Sequence, residues 1–376
     1  MNIERFHAIA KAILEDLQSF NYQVKLAELL QHLKNKASQP AQPSFAQAVD
    51  QALIELRDRL PKLSSNRFSQ TWLQHMHEHS LNLFIGNELL REVEDILREN
   101  ALTPSVSDSQ LTRIVQQLSD GVQSLRNFIG AMERFCIGAE DVDAGTAELG
   151  VLIPRKAVKN DVHTFGKELT RLSKLVGAFQ EVSTGSRAEL RIRSVSSSDL
   201  SIFFLIDPVT AKLWLDALNA LLDAFKSIQD IRKSIHDLKA NGVPEAATAA
   251  LEEHANSRME ATVLKVVDEV LDGGGRVVKR KTELRVELRS ALSDIALRLD
   301  NGFNFEVRAK PDDQKVEDED AQGAAENAAL KAVQAGSSQL RFLKLDGNPI
   351  LKLPSATADE DSSASKGDEA PKKSKK

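Results

Sequence analysis

Apolar residues recur at three- and four-residue steps over most of this chain, and only a few short stretches alternate at a period of two. The longest stripe runs Leu213, Trp214, Ala217, Leu218, Leu221, Leu222, Phe225, Ile228, Ile231, Ile235 and Leu238. It predicts a helix of about nine turns. Asp207 supplies an N-cap and Pro208 suits the first helical position, where a missing N–H costs nothing. Asn241-Gly242 ends the stripe, and Pro244 forbids continuation. Directly upstream, Ala188–Val195 reads as a half-buried strand and Leu200–Ile206 is apolar on both faces. The turn-forming cluster Ser196-Ser197-Ser198-Asp199 joins them, so a β-hairpin feeds the long helix.

The same reading organises the rest. Residues 3–36 predict one or two amphipathic helices, followed by a linker around Pro40 and Pro43. A helix capped by Ser44 and stopped by Pro61 comes next, then one over Asn66–Glu99, then one from Ser107 or Asp108 to Ile137. Leu149–Ile153 is a short apolar run that Pro154 stops, suited to an edge strand beside the hairpin. A helix is expected over Asp161–Val182. Beyond the long helix the pattern predicts helices over 244–271 and 276–300, and a strand over 303–308 with Phe303, Phe305 and Val307 buried. Gln339–Leu345 and Ile350–Leu353 flank the turn signal Asp346-Gly347-Asn348-Pro349 and predict a second hairpin.

The expected fold is therefore mainly α, strictly α+β: long amphipathic helices in a bundle-like arrangement, two small antiparallel hairpins and a disordered C-terminal tail. The expected regions are a helical one at 1–140, a central one at 141–310, an acidic flexible linker at 311–338, a hairpin at 339–354 and the tail at 355–376.

Composition narrows this only a little. Hydrophobic residues make up 41% of the 376, enough for a sizeable core, and aromatics only 5%, so Leu and Ala carry the packing. The lone Cys136 excludes an intramolecular disulfide framework and fits a reducing compartment. No run approaches the ~18 apolar residues that span a bilayer, and no apolar leader follows Met1. A cytoplasmic location is expected. The net charge of −6 argues against whole-surface binding to nucleic acid.

Candidate chemistry is sparse. Arg276, Lys279, Arg280, Lys281, Arg285 and Arg289 crowd the start of one expected helix, where cations oppose the helix dipole and would attract an anion. Glu283 and Glu287, or the acids from Asp312 to Asp320, offer internal neutralisation instead. Gly275-x₄-Arg280-Lys281-Thr282 resembles a phosphate loop but lacks its second glycine and its preceding strand. His75 and His79 stand one helical turn apart, with Glu78 between them, a spacing that can hold a metal ion. Cys136, between Phe135 and Ile137, reads as a buried inert thiol. No catalytic constellation and no cofactor motif is present. The expectation is a non-enzymatic scaffold or regulatory interaction protein, acting through helical surfaces as a subunit of an assembly. Its expected partners are proteins, a second copy included, and not a membrane. The alternative is a nucleic-acid or phosphate-ligand binder using residues 276–289.

Overall fold

The computed structural model describes residues 3–196, 200–273, 280–312, 321–340, 345 and 347–354. These form eleven α-helices and one four-stranded antiparallel sheet, a mainly α architecture with a small β element. The chain divides into two compact units after Asp141. Among the described residues no helix is long and apolar enough to cross a membrane.

The first unit is helical throughout: α1 (Ile3–Phe20), α2 (Tyr22–Ser38), α3 (Pro43–Arg59), α4 (Gln70–Glu78), α5 (Gly86–Glu99) and α6 (Pro104–Arg134). Ile9, Ile13, Leu26, Leu29, Leu56, Met76, Leu89 and Leu111 form its core. The single helix expected over Asn66–Glu99 is two helices with short turns around them. The break has a local cause. Ser80 adopts a left-handed conformation (φ 56°), and the Leu81 N–H closes the end of α4 on the Met76 carbonyl at 2.7 Å. At the start of α5, a Cβ on Gly86 would lie 2.1 Å from the Leu60 carbonyl oxygen, so only glycine permits that approach. Asn66 fastens the same corner, donating to the Leu60 carbonyl and accepting from the Asn87 N–H.

The second unit builds the sheet from β1 (Thr146–Leu152), then α7 (Val162–Thr184), the hairpin β2 (Arg191–Ser196) and β3 (Ser201–Ile206), α8 (Pro208–Ala240), α9 (Glu245–Gly273), α10 (Lys281–Asp300), β4 (Asn304–Lys310) and α11 (Ala321–Gly336). The strand order is β2-β3-β1-β4. β1 is thus interior rather than an edge: Leu149 lies opposite Phe204 on one side and Val307 on the other. Alternation sends Ala147, Leu149, Val151, Ile202, Phe204, Phe305 and Val307 into a core shared with Phe179, Trp214 and Phe225. On the opposite face Gly150 lies under Phe203, whose ring would stand 2.7 Å from an added Cβ.

Asp207 caps α8 as expected, its carboxylate accepting from the N–H groups of Val209 (2.9 Å) and Thr210 (3.1 Å). Asp207→Ala is expected to lower stability by about 1 kcal/mol in a denaturant titration. An unchanged midpoint would show that water replaces the cap.

One expectation is corrected at the C-terminal end. Of the linker expected at 311–338, residues 321–336 are helix α11, with Leu330 and Val333 buried in the core. The acids upstream hid seven alanines, the strongest helix formers, in Ala321–Ala335. The first arm of the second expected hairpin, Gln339–Leu345, lies largely outside the described residues, as does Asp346 of its turn. Ile350–Leu353 of the second arm belongs to no strand among the described residues. Residues 313–320, 341–344, 346 and the tail from 355 lie outside the described residues.

Candidate functional site

Of the basic cluster, Arg276 and Lys279 lie outside the described residues, as does Gly275 of the near phosphate loop. The other four all have carboxylate partners. Arg280 donates to Glu181 of α7 at 2.7 Å and to Glu283 at 2.9 Å. Arg285 pairs with Asp268 at 2.7 Å, Arg289 with Glu260, and Lys281 stands 3.8 Å from Asp272. Positions 281, 285 and 289 are successive turns of α10, and 272, 268 and 260 run the opposite way along α9. The basic stripe is one side of an ion-pair ladder between antiparallel helices. Arg187 extends it, binding Glu181 at 2.8 Å and also Glu287. The Arg280 guanidinium, with help from Arg187, holds the Glu181 carboxyl below its ordinary range. Helix acids neutralise these four cations; residues 313–320 of the downstream acidic segment lie outside the described residues.

The histidines point to separate neighbours. His75 Nδ1 is 3.2 Å from Glu78, and His79 is the C-cap of α4 with its ring against Phe6 at 5.2 Å. His77 instead approaches Glu88 at 3.2 Å. Among the described residues no group of three His, Cys, Asp or Glu side chains is placed to hold a metal ion. Cys136 is exposed, which corrects the buried thiol read from its apolar neighbours. It takes the left-handed position (φ 56°) that ends α6, while the Ile137 N–H turns back to the Met132 carbonyl at 2.9 Å.

The structure assembles a different site, one that motif reading missed. Gly347–Leu353 lies as an extended strap across α8, α9 and the end of α10. Arg232 of α8 and Asp300 of α10 form a buried pair at 2.7 Å. Asp300 Oδ2 accepts the backbone N–H groups of Ile350 and Leu351, each at 2.7 Å. Arg232 donates to the carbonyls of Asp300 and Gly347. From α9, Asn256 spans the strap's other side: its amide donates to the Ile350 carbonyl and its oxygen accepts from the Lys352 N–H. Lys352 reaches Glu252 at 3.2 Å, and Lys239 reaches the same carboxylate at 3.4 Å. Burial alone would push the Glu252 carboxyl up, and the two lysines more than reverse it. Burial also pushes the Asp300 carboxyl up, and there it outweighs the two N–H groups and Arg232. Ile350, Leu351 and Leu353 are 5%, 7% and 8% exposed. Gly347 turns at φ 80°, with His236 so close that an added Cβ would stand 3.0 Å from its Cβ and 3.2 Å from its ring.

Signals for this site were in the sequence. Arg232 interrupts the apolar stripe between Ile228 and Ile235, and Asp300 places an acid in a last helical turn, where the dipole disfavours one. Two more buried ion groups belong to the frame. Arg298 binds Glu168 through two nitrogens at 2.6 and 3.2 Å, tying α10 to α7. On the sheet, Arg308 stands 3.3 Å from Glu148 and 3.5 Å from Glu306, while Arg193, at the bulge of β2, stands 3.6 Å from Glu148.

Comparison with protein-family models, curated proteins and solved structures gives no match, so the functional reading rests on these residues alone.

Proposed function

We propose that this is a non-enzymatic interaction protein, a scaffold or regulatory subunit whose helical frame presents surfaces to protein partners, self-association included. One observation carries the reading: among the described residues, the arginines of the basic cluster that anion binding would need are engaged in joining helices to one another. Arg280, Arg285 and Arg289 each have a carboxylate within hydrogen-bonding distance, and their partners lie on α7 and α9. A phosphate or nucleic-acid backbone would have to displace those carboxylates before gaining anything from the arginines. The ladder therefore favours the frame over the binder of anions.

Charge reversal separates the two. Arg285→Glu with Arg289→Glu is expected to leave retention on DNA, RNA and phosphate columns at the level of the unmodified chain. A large loss of retention would overturn the frame reading and restore the anion site. The interaction itself is tested by affinity purification of the tagged chain, with the 260/280 nm ratio recorded, and by sedimentation. A stoichiometric partner or a defined oligomer is expected. A strict monomer with no recoverable partner would end the proposal.

A further inference from the structure

The strap is held as a bound peptide is held, and this is the feature that reaches furthest. Among the described residues, no backbone–backbone hydrogen bond joins Gly347–Leu353 to the rest of the chain. Its fixed points are side chains of the surrounding helices aimed at its main chain: Asp300 at two N–H groups, Asn256 at one carbonyl and one N–H, and Arg232 at one carbonyl. Recognition of that kind reads an extended backbone and leaves the side chains to pockets. The pockets here take Ile350, Leu351 and Leu353, while Lys352 points to Glu252 at the rim. The strap also leaves open space beside α8. A cavity of about 220 Å³ remains beside Asn348 and Pro349, lined by Arg232, His236 and Lys239 among others.

We infer that the groove formed by α8, α9 and the end of α10 is a recognition site for an extended protein segment, and that Gly347–Leu353 fills it in cis until a partner's segment takes its place. The partner's segment carries aliphatic residues at the positions of Ile350, Leu351 and Leu353 and a cation at that of Lys352, to meet Glu252. At the position of Pro349 it has room for a longer side chain. The inference narrows the interaction reading to one surface; that reading's own test, by sedimentation and copurification, stands apart from the one below.

Two measurements on the full chain decide it. In native-state hydrogen exchange, the amides of Ile350 and Leu351 are expected to exchange at least a hundredfold faster than those of β1, because a displaceable strap opens without unfolding the unit. Exchange at the rate of β1 would mean the strap is integral to the core, and would overturn the inference. The second measurement uses a labelled peptide spanning Leu345–Pro354 and the chain carrying Ile350→Asp and Leu353→Asp, which weakens its own strap. Fluorescence polarisation should show the peptide binding this variant at least tenfold more tightly than the unmodified chain. Adding Asp300→Asn should remove that binding, and a peptide with aspartate in place of all three aliphatic residues should not bind. A folded variant that ignores the peptide overturns the proposal, and so does a variant that cannot fold without its strap. Dimerisation of the unmodified chain that the peptide dissolves would identify the incoming segment as that of a second copy.

Discussion

Asp300→Ala is expected to destabilise the second unit by about 3–5 kcal/mol, the range for breaking a buried ion pair from one side. The loss has two parts. Arg232, 4% exposed at its side chain, keeps its charge with no carboxylate beside it. The N–H groups of Ile350 and Leu351 lose their acceptor inside the protein, and each orphaned donor costs about 1–3 kcal/mol unless it reaches water. The chain has two tryptophans, Trp72 in the first unit and Trp214 in the second. In a Trp72→Phe background, Trp214 emission therefore reports the second unit alone during urea unfolding. A shift below about 1 kcal/mol would show that the strap leaves and lets water take both groups.

The double variant Arg232→Met with Asp300→Leu is expected to recover much of that stability, since it leaves neither charge behind. It should not recover the strap's position. Stability and strap placement thus separate in one pair of proteins, which is the signature of a pair kept for geometry. The pH response points the same way. Burial raises the Asp300 carboxyl above its ordinary value, so the folded state holds that proton more tightly than the unfolded chain does. From the ordinary carboxylate range up to the raised value, this group's contribution to stability falls as pH rises. Once ionised, the carboxylate is held at a cost that the two N–H groups and Arg232 only partly offset. Asp300→Asn should flatten this part of the pH profile.

How far the sequence shows this molecule depends on which interactions define each part. Helices α7 and α8 are legible because period, caps and stops agree: Asp161 and Asp207 cap, Gly185 and Asn241-Gly242 end. The break between α4 and α5 was hidden, since it depends on Gly86 meeting the Leu60 carbonyl, a contact that spacing along the chain does not encode. The ion-pair ladder was half visible. The bases at 281, 285 and 289 stood out, but they suggest an anion site until the acids at 260, 268 and 272 are seen to run antiparallel beside them. The strap reads as half of a hairpin because Ile350–Leu353 has the composition of a strand. Its hydrogen-bond partners are side chains from three helices, and a strand pattern says nothing of which groups will pair with it.

Trp214→Ala carries the other large effect, about 3–5 kcal/mol. Trp214 is fully buried where three elements meet, its ring 4.8 Å from Phe179 of α7 and 5.9 Å from Phe305 of β4. Removing it takes away apolar area and leaves a cavity whose walls are a helix, a sheet and the aromatic rings between them. Such walls do not collapse together without moving the sheet against α8, so the cavity term stays large. Trp214→Phe should cost far less, below about 1.5 kcal/mol, because it keeps an aromatic ring there. It also loses no hydrogen bond, as the indole Nε1 is buried without a protein acceptor. Urea unfolding followed by far-ultraviolet circular dichroism checks both variants, with Trp72 emission reading the first unit in the same samples. If alanine and phenylalanine cost the same, the indole Nε1 would be the group that matters, and a bound water or an unseen acceptor would have to be holding it. A gap of several kcal/mol between them would place the energy in the packing of α7, α8 and the sheet, the frame across which α8 also carries Arg232 to the strap.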